Sequence, residues 1–142
     1  MAALAHADLR RLLVMGGLHL VAEADDQTVV GYAFSFANGD SYDGEEFRYF
    51  ATHLHQPFIY IDQVAAARHK QREGIGRKLY AALVDHARTL GISTLCCEVN
   101  TSPPNPASLE FHRRLGFECL GEGSILDGRE VAFLVWNLSA TS

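Results

Sequence analysis

Residues 71–76, Gln71-Arg72-Glu73-Gly74-Ile75-Gly76, put two glycines one residue apart between an apolar run and a helical pattern. A helix N-terminus carries unpaired backbone N–H groups and a partial positive charge. Glycines there let the backbone close on an anion with no Cβ in the way. The flanks agree: in residues 68–78 five of eleven side chains are Lys or Arg, opposed only by Glu73. In a chain of formal net charge −5, such a local cluster points to a small anionic ligand rather than a polymer. The turn is neither a Walker A loop nor a full dinucleotide fingerprint, because position 79 is Leu where a third glycine is required. An ordinary turn into a helix with a solvated basic start is the plain alternative.

Asp62, in Tyr60-Ile61-Asp62-Gln63-Val64, lies two residues from both Tyr60 and Val64, so strand alternation predicts one shared face for the three. Asp62 and Glu98 together suit a cationic ligand. His53 and His55 alternate but no carboxylate or thiol completes a ligand set, so no metal is expected. Adjacent Cys96 and Cys97 point to opposite faces of a strand, which predicts one in the core and one at the surface; neither has a partner that would make it a nucleophile.

The elements that must position these groups follow from periodicity. Leu9, Leu12 and Leu13 predict a short helix over 5–15. Residues 18–25 and 28–37 alternate and read as a hairpin. Residues 38–57 read as a loop with a short helix near 44–51, and 58–67 as the strongest strand. Ile75, Leu79, Leu83, Ala87 and Leu90 form one stripe of a helix over 75–90, stopped by Gly91. A strand at 93–99 leads into the loop Asn-Thr-Ser-Pro-Pro-Asn. Asn105 then suits an N-cap with Pro106 at the first helical position, and Gly116 ends that helix. Two strands close the chain, and Trp136 and the phenylalanines read as core. Interleaved helices with at least two hairpins predict an α/β (α+β) domain on a mixed sheet.

The stretch from Val64 to Gly91 resembles the signature of the GCN5-related N-acetyltransferases (GNAT), Gln/Arg-x-x-Gly-x-Gly/Ala after the fourth strand, matched by Gln71, Gly74 and Gly76. Asn105, Ala107, Leu115, Gly116 and Phe117 resemble the family's second block, an Asn, a helix and Leu-Gly-Phe. The resemblance covers roughly 18–137. It implies a largely antiparallel twisted sheet flanked by helices, with splayed fourth and fifth strands, and acetyl-CoA-dependent acetylation of an amine by direct attack in a ternary complex. It implies acetyl-CoA or CoA as co-substrate, its pyrophosphate on the backbone of Arg72, Glu73, Gly74, Ile75, Gly76 and Arg77 beside Gln71. The pantetheine arm would pair with the main chain of Val64, Ala65 and Ala66, with Asn105, Ser108 and His112 nearby. Leu-Cys-Cys-Glu-Val resembles a stretch of the ribosomal-protein N-terminal acetyltransferases in which a Glu is the base, which makes Glu98 the first candidate and Asp62 the second. The family's usual acid is a Tyr four residues before the Gly of Leu-Gly-Phe; here that position is His112, and the loop before Asn105 is two residues longer than usual.

The chain has 142 residues, which predicts one domain, 1–142. Its acidity argues against nucleic-acid partners, and no apolar run is long enough to span a membrane. Three cysteines make a poor disulfide framework, and the N-terminus lacks the order of a signal peptide, so a cytoplasmic location is expected. The resemblance also implies a strand and two helices before the first hairpin. The seventeen residues before Leu18 have room for one helix only, so the first strand and first helix are expected to be missing and a homodimer is expected to complete the acceptor site. The acceptor that the resemblance implies is a small-molecule or peptide amine. A non-catalytic acyl-CoA-binding module, and a binder of another anion, are the competing readings.

Overall fold

The computed structural model describes residues 8–14, 17–24, 26–37, 45–67, 74–125 and 127–140. Among the described residues seven strands form one sheet, in the order β1-β2-β3-β4-β5-β7-β6. They are β1 (Asp8–Val14), β2 (Gly17–Glu23), β3 (Val29–Ala37), β4 (Ile59–Ala66), β5 (Thr94–Ser102), β6 (Glu118–Ser124) and β7 (Glu130–Asn137). Helix α1 (Glu45–His53) precedes β4, α2 (Ile75–Thr89) joins β4 to β5, and α3 (Pro106–Leu115) follows β5. Only β4 and β5 run parallel; every other neighbouring pair is antiparallel. A parallel pair needs a crossover, and α2 supplies it.

Both faces of the sheet are covered. On one, α2 lays Ile75, Leu79, Leu83 and Ala87 against Leu20, Ile59, Leu95 and Leu134. This is the stripe expected from the sequence except at its end: Leu90 is exposed and caps the helix before Gly91 at φ 73° rather than joining the buried face. On the other face, α1 sets Phe47 and Phe50 against Tyr60, Cys96 and Phe133. Cys96 and Cys97 therefore sit in two different apolar clusters, both buried. The expectation that one of them would reach the surface fails because the sheet has no solvated face at β5.

The N-terminal expectation also changes. Residues 8–14 form a strand, not a helix, and pair in continuous register with β2 from Asp8↔Glu23 to Val14↔Gly17. Three leucines at helical spacing are too few to resist a seven-residue ladder. The first strand is thus present, and only Met15 and Gly16 separate it from β2. No helix fits between the two. The loop expected after β5 is shorter as well: β5 continues to Ser102, and Thr101 bridges to Pro104.

Candidate active site

The strands β4 and β5 pair only at Ile59↔Leu95 and Tyr60↔Cys96. Beyond that point they diverge, as the resemblance implied. Ala66, Ala65 and Val64 still pair with Gly31, Tyr32 and Ala33 of β3. Their other edge faces the gap, and among the described residues no strand covers it. The gap opens into a cavity of about 520 Å³, walled by Asp62, Val64 and Ala65 of β4, Glu98 and Asn100 of β5, and Tyr80, Ser108 and His112 of the helices.

A bulge shapes β4 here. Phe34 pairs with Gln63 but Ser35 pairs with Ile61, so Asp62 is the extra residue. Val64 and Ala66 consequently pack on the face of Ile59 and Ile61, whereas Tyr60 lies on the opposite face. The shared face expected for Asp62 and Val64 does not survive the bulge. Asp62 stays with Tyr60, whose hydroxyl is 3.4 Å from its Oδ1. The same hydroxyl donates to Glu98 Oε2 at 2.7 Å. A phenol has one proton, and the shorter, better contact takes it. Tyr60 thus gathers both acidic candidates on the α1 side of the sheet. Cys96, Glu98 and Asn100 share that face by alternation, opposite Val135, Phe133 and Val131 of β7. Beyond them Arg129 donates Nη1–H to Asn100 Oδ1 at 3.0 Å and Nε–H to Asp127 Oδ2 at 2.7 Å.

The α2–α3 side is different. His112 Nδ1 lies 2.7 Å from the Ser108 backbone oxygen. A carbonyl only accepts, so Nδ1 carries the hydrogen. In the neutral ring Nε2 is then an acceptor, and the Tyr80 hydroxyl donates to it at 2.5 Å. Burial holds the His112 pKa below its usual value, partly opposed by the Ser108 carbonyl. Burial likewise pushes the Tyr80 phenol well up, reinforced by Cys97, so it stays protonated. Cys97 is raised by burial and by the charge of Glu98, which keeps it a thiol. His112 in its neutral form has no proton to offer from Nε2; the proton on this wall belongs to Tyr80. Helical periodicity gives Tyr80 no role, because its partner lies 32 positions away. Asn100 and Arg129 had no sequence signal either.

At the start of α2, Gly74 adopts φ 77° and ψ 18°, a left-handed conformation that suits glycine. It has no side chain to cap the helix, so the first N–H groups of α2 keep their outward donors. Gly76 answers to packing: a Cβ there would stand 3.2 Å from Phe111 Cζ of α3. Gln71, Arg72 and Glu73 lie outside the described residues. Arg77 lines a second depression, about 490 Å³, between α2 and α3. Asn105 caps α3 as expected, its side chain accepting from Ser108 N–H at 3.2 Å, with Pro106 following. The open β4 edge with the cavity beside it, and the uncapped α2 start, fit an extended thioester arm followed by a pyrophosphate. Among the described residues no group of three His, Cys, Asp or Glu side chains is placed to hold a metal, and no helix is long and apolar enough to cross a membrane. His53 Nδ1 is instead 2.8 Å from the Tyr49 backbone oxygen.

Comparison with known proteins agrees with this geometry. An L-methionine sulfoximine/L-methionine sulfone acetyltransferase of Salmonella typhimurium is 33% identical over 114 residues, 80% of this chain and 57% of that one. The L-amino acid N-acyltransferase MnaT of Escherichia coli is 33% identical over 103 residues, 72% of this chain and 52% of that one. The chain thus spans about half the length of these curated relatives. The solved structure of the yncA protein from Salmonella typhimurium, with its cofactor acetyl-CoA, superposes with a TM-score of 0.61 at 26% identity, covering 87% of this chain and 66% of that one. The model of the acetyltransferase (GNAT) family matches residues 4–117, and with the splayed strands and the two motifs in place, the chain belongs to that family.

Proposed function

We propose that the chain, as one acetyltransferase domain over residues 1–142, moves an acetyl group from acetyl-CoA to a primary amine by direct attack in a ternary complex. The observation that carries this reading is the gap between β4 and β5, with Glu98 and Tyr60 on one side of the sheet and Tyr80 with His112 on the other. The main chain of Val64, Ala65 and Ala66 binds the pantetheine arm as an added strand. The backbone N–H groups from Gly74 to Arg77 hold the pyrophosphate, and Asn105 and Ser108 line the arm's path. Gln71, Arg72 and Glu73 complete that turn in this reading.

An amine attacks only after losing its extra proton. Glu98 accepts it, and Asp62 adds negative charge that draws the ammonium form in. The departing thiolate meets the Tyr80 hydroxyl. Because that phenol holds its proton tightly, it stabilises the sulfur by turning its single hydrogen bond from His112 Nε2 to the thiolate rather than by full transfer. The acceptor is a small amine or a peptide N-terminus, and the names of the relatives favour a free amino acid. No helix stands between β1 and β2, and in this reading a homodimer completes the acceptor side of the cleft. A cytoplasmic location is part of this reading.

A cofactor-binding module without turnover is the second reading, favoured by one observation, the proton-poor Nε2 of His112. Thiol release from acetyl-CoA across a panel of amines, beside a thermal-shift titration with CoA, separates the two. Amine-dependent release supports transfer. A thermal shift without release supports the module, and neither response removes both. Light scattering during size exclusion checks the dimer, and a monomer at high concentration removes it.

A further inference from the structure

The charged groups on the α1 side of the cleft are not all acidic. Asp62 and Glu98 stand at one end, and Arg129 stands at the other, beyond Asn100. A guanidinium in the wall repels a simple ammonium substrate, so its presence beside an amine site selects an acceptor that carries an anion of its own. We infer that Arg129, buttressed by Asn100, holds the carboxylate of an amino-acid acceptor whose amine faces Glu98, an assignment that rests on the proposed acetyl transfer.

Three features support the anchor. Glu98 and Asn100 are two positions apart on one face of β5, roughly 6–7 Å along the strand, a span suited to the two ends of one small zwitterion. The guanidinium is fixed: Asp127 takes Nε–H and Asn100 takes Nη1–H, so its plane is set before a ligand arrives. Arg129 remains 37% exposed in its side chain and its partner Asp127 is 55% exposed, so water screens their pairing. A planar fork of donors is the side chain that best matches a carboxylate.

The test measures binding of a panel of L-amino acids, and of the corresponding amino amides, to the CoA-loaded protein by calorimetry. The wild type is expected to prefer acid over amide by about tenfold or more, the range for a hydrogen bond to a charged group. Arg129→Gln is expected to abolish that preference, and Arg129→Lys to keep part of it. Asn100→Asp places a competing carboxylate against the guanidinium and is expected to weaken the acid selectively, which serves should Arg129→Gln fold poorly. A wild type that binds acid and amide alike, or binds neither, overturns the anchor, as does a preference intact in Arg129→Gln. The readout needs no turnover. Acid-selective binding without thiol release leaves the anchor standing and removes the transfer reading, whereas equal turnover of acids and amides does the reverse.

Discussion

The two sides of the β4–β5 gap are built from opposite materials. On the α2–α3 side the polar groups are few, buried and neutral: Tyr80 donates to His112, His112 donates to a backbone carbonyl, and Cys97 stays a thiol. On the α1 side they are mostly charged and partly wet: Asp62, Glu98 and Asn100 on the strands, then Arg129 and Asp127 in the turn before β7. A thioester and its sulfur need an apolar wall with a hydrogen-bond donor, because a charge there would be expensive to desolvate. A polar acceptor that must lose a proton needs the reverse. The sheet separates the two environments, and the missing β4–β5 pairing is the opening through which they meet.

The comparison is broken most severely by removing the base. Glu98→Gln keeps the shape and the contact with Tyr60 but cannot take a proton. Turnover is expected to fall about 10²- to 10⁴-fold, while the thermal shift given by CoA remains. Turnover within a factor of two of wild type would take Glu98 out of the chemistry and leave Asp62 as base. The next largest effect falls on the opposite side. Gly76→Val drives a branched side chain into Phe111, 3.2 Å from where its Cβ must go. Overpacking of this kind costs about 1–3 kcal/mol, and it moves α3, which carries Asn105, Ser108 and His112. Chemical denaturation reports the stability loss, and a weakened CoA shift reports the displaced helix. A fully stable Gly76→Val that binds CoA normally would mean that α2 and α3 do not meet as closely as this.

Those two substitutions also mark what the sequence could and could not reveal. The α2 stripe and the Asn105 cap were legible because each is set by neighbours three or four residues away. The splay of β4 and β5 was implied by the motif resemblance and is present. Gly76 was assigned to phosphate approach, but its tightest constraint is Phe111, 35 positions on, which periodicity does not carry. Asp62 was placed by strict alternation, which a single bulge resets. Residues 8–14 fit a helix locally and became a strand through pairing with β2. The Tyr80–His112 and Asn100–Arg129 contacts join distant positions, so only the folded sheet brings them together.

A smaller effect is expected from Tyr80→Phe, which keeps the ring among Phe111, Phe117 and His112 and removes only the hydroxyl. Losing one hydrogen bond to a developing thiolate predicts a drop in kcat of about tenfold, with the KM for acetyl-CoA moved little. An equal loss in both would make Tyr80 a structural support of the cofactor wall rather than a donor to the sulfur.

The smallest effect is on stability, and it distinguishes the neutral wall from the charged one by pH. His112 has a folded-state pKa below its unfolded value of about 6.5. Between the two values the unfolded chain binds the extra proton and the folded protein does not. The stability tied to the neutral ring is therefore complete above about pH 6.5 and is lost as pH falls through the folded value. His112→Gln can still accept from Tyr80 but does not titrate. Melting temperatures from pH 7.5 down to 5 should thus fall more steeply in the wild type than in His112→Gln. The difference between the two curves isolates this ring from the other histidines, which titrate in both proteins. Parallel curves would mean that His112 protonates as readily folded as unfolded, and the α2–α3 wall would then be as wet as the one facing it.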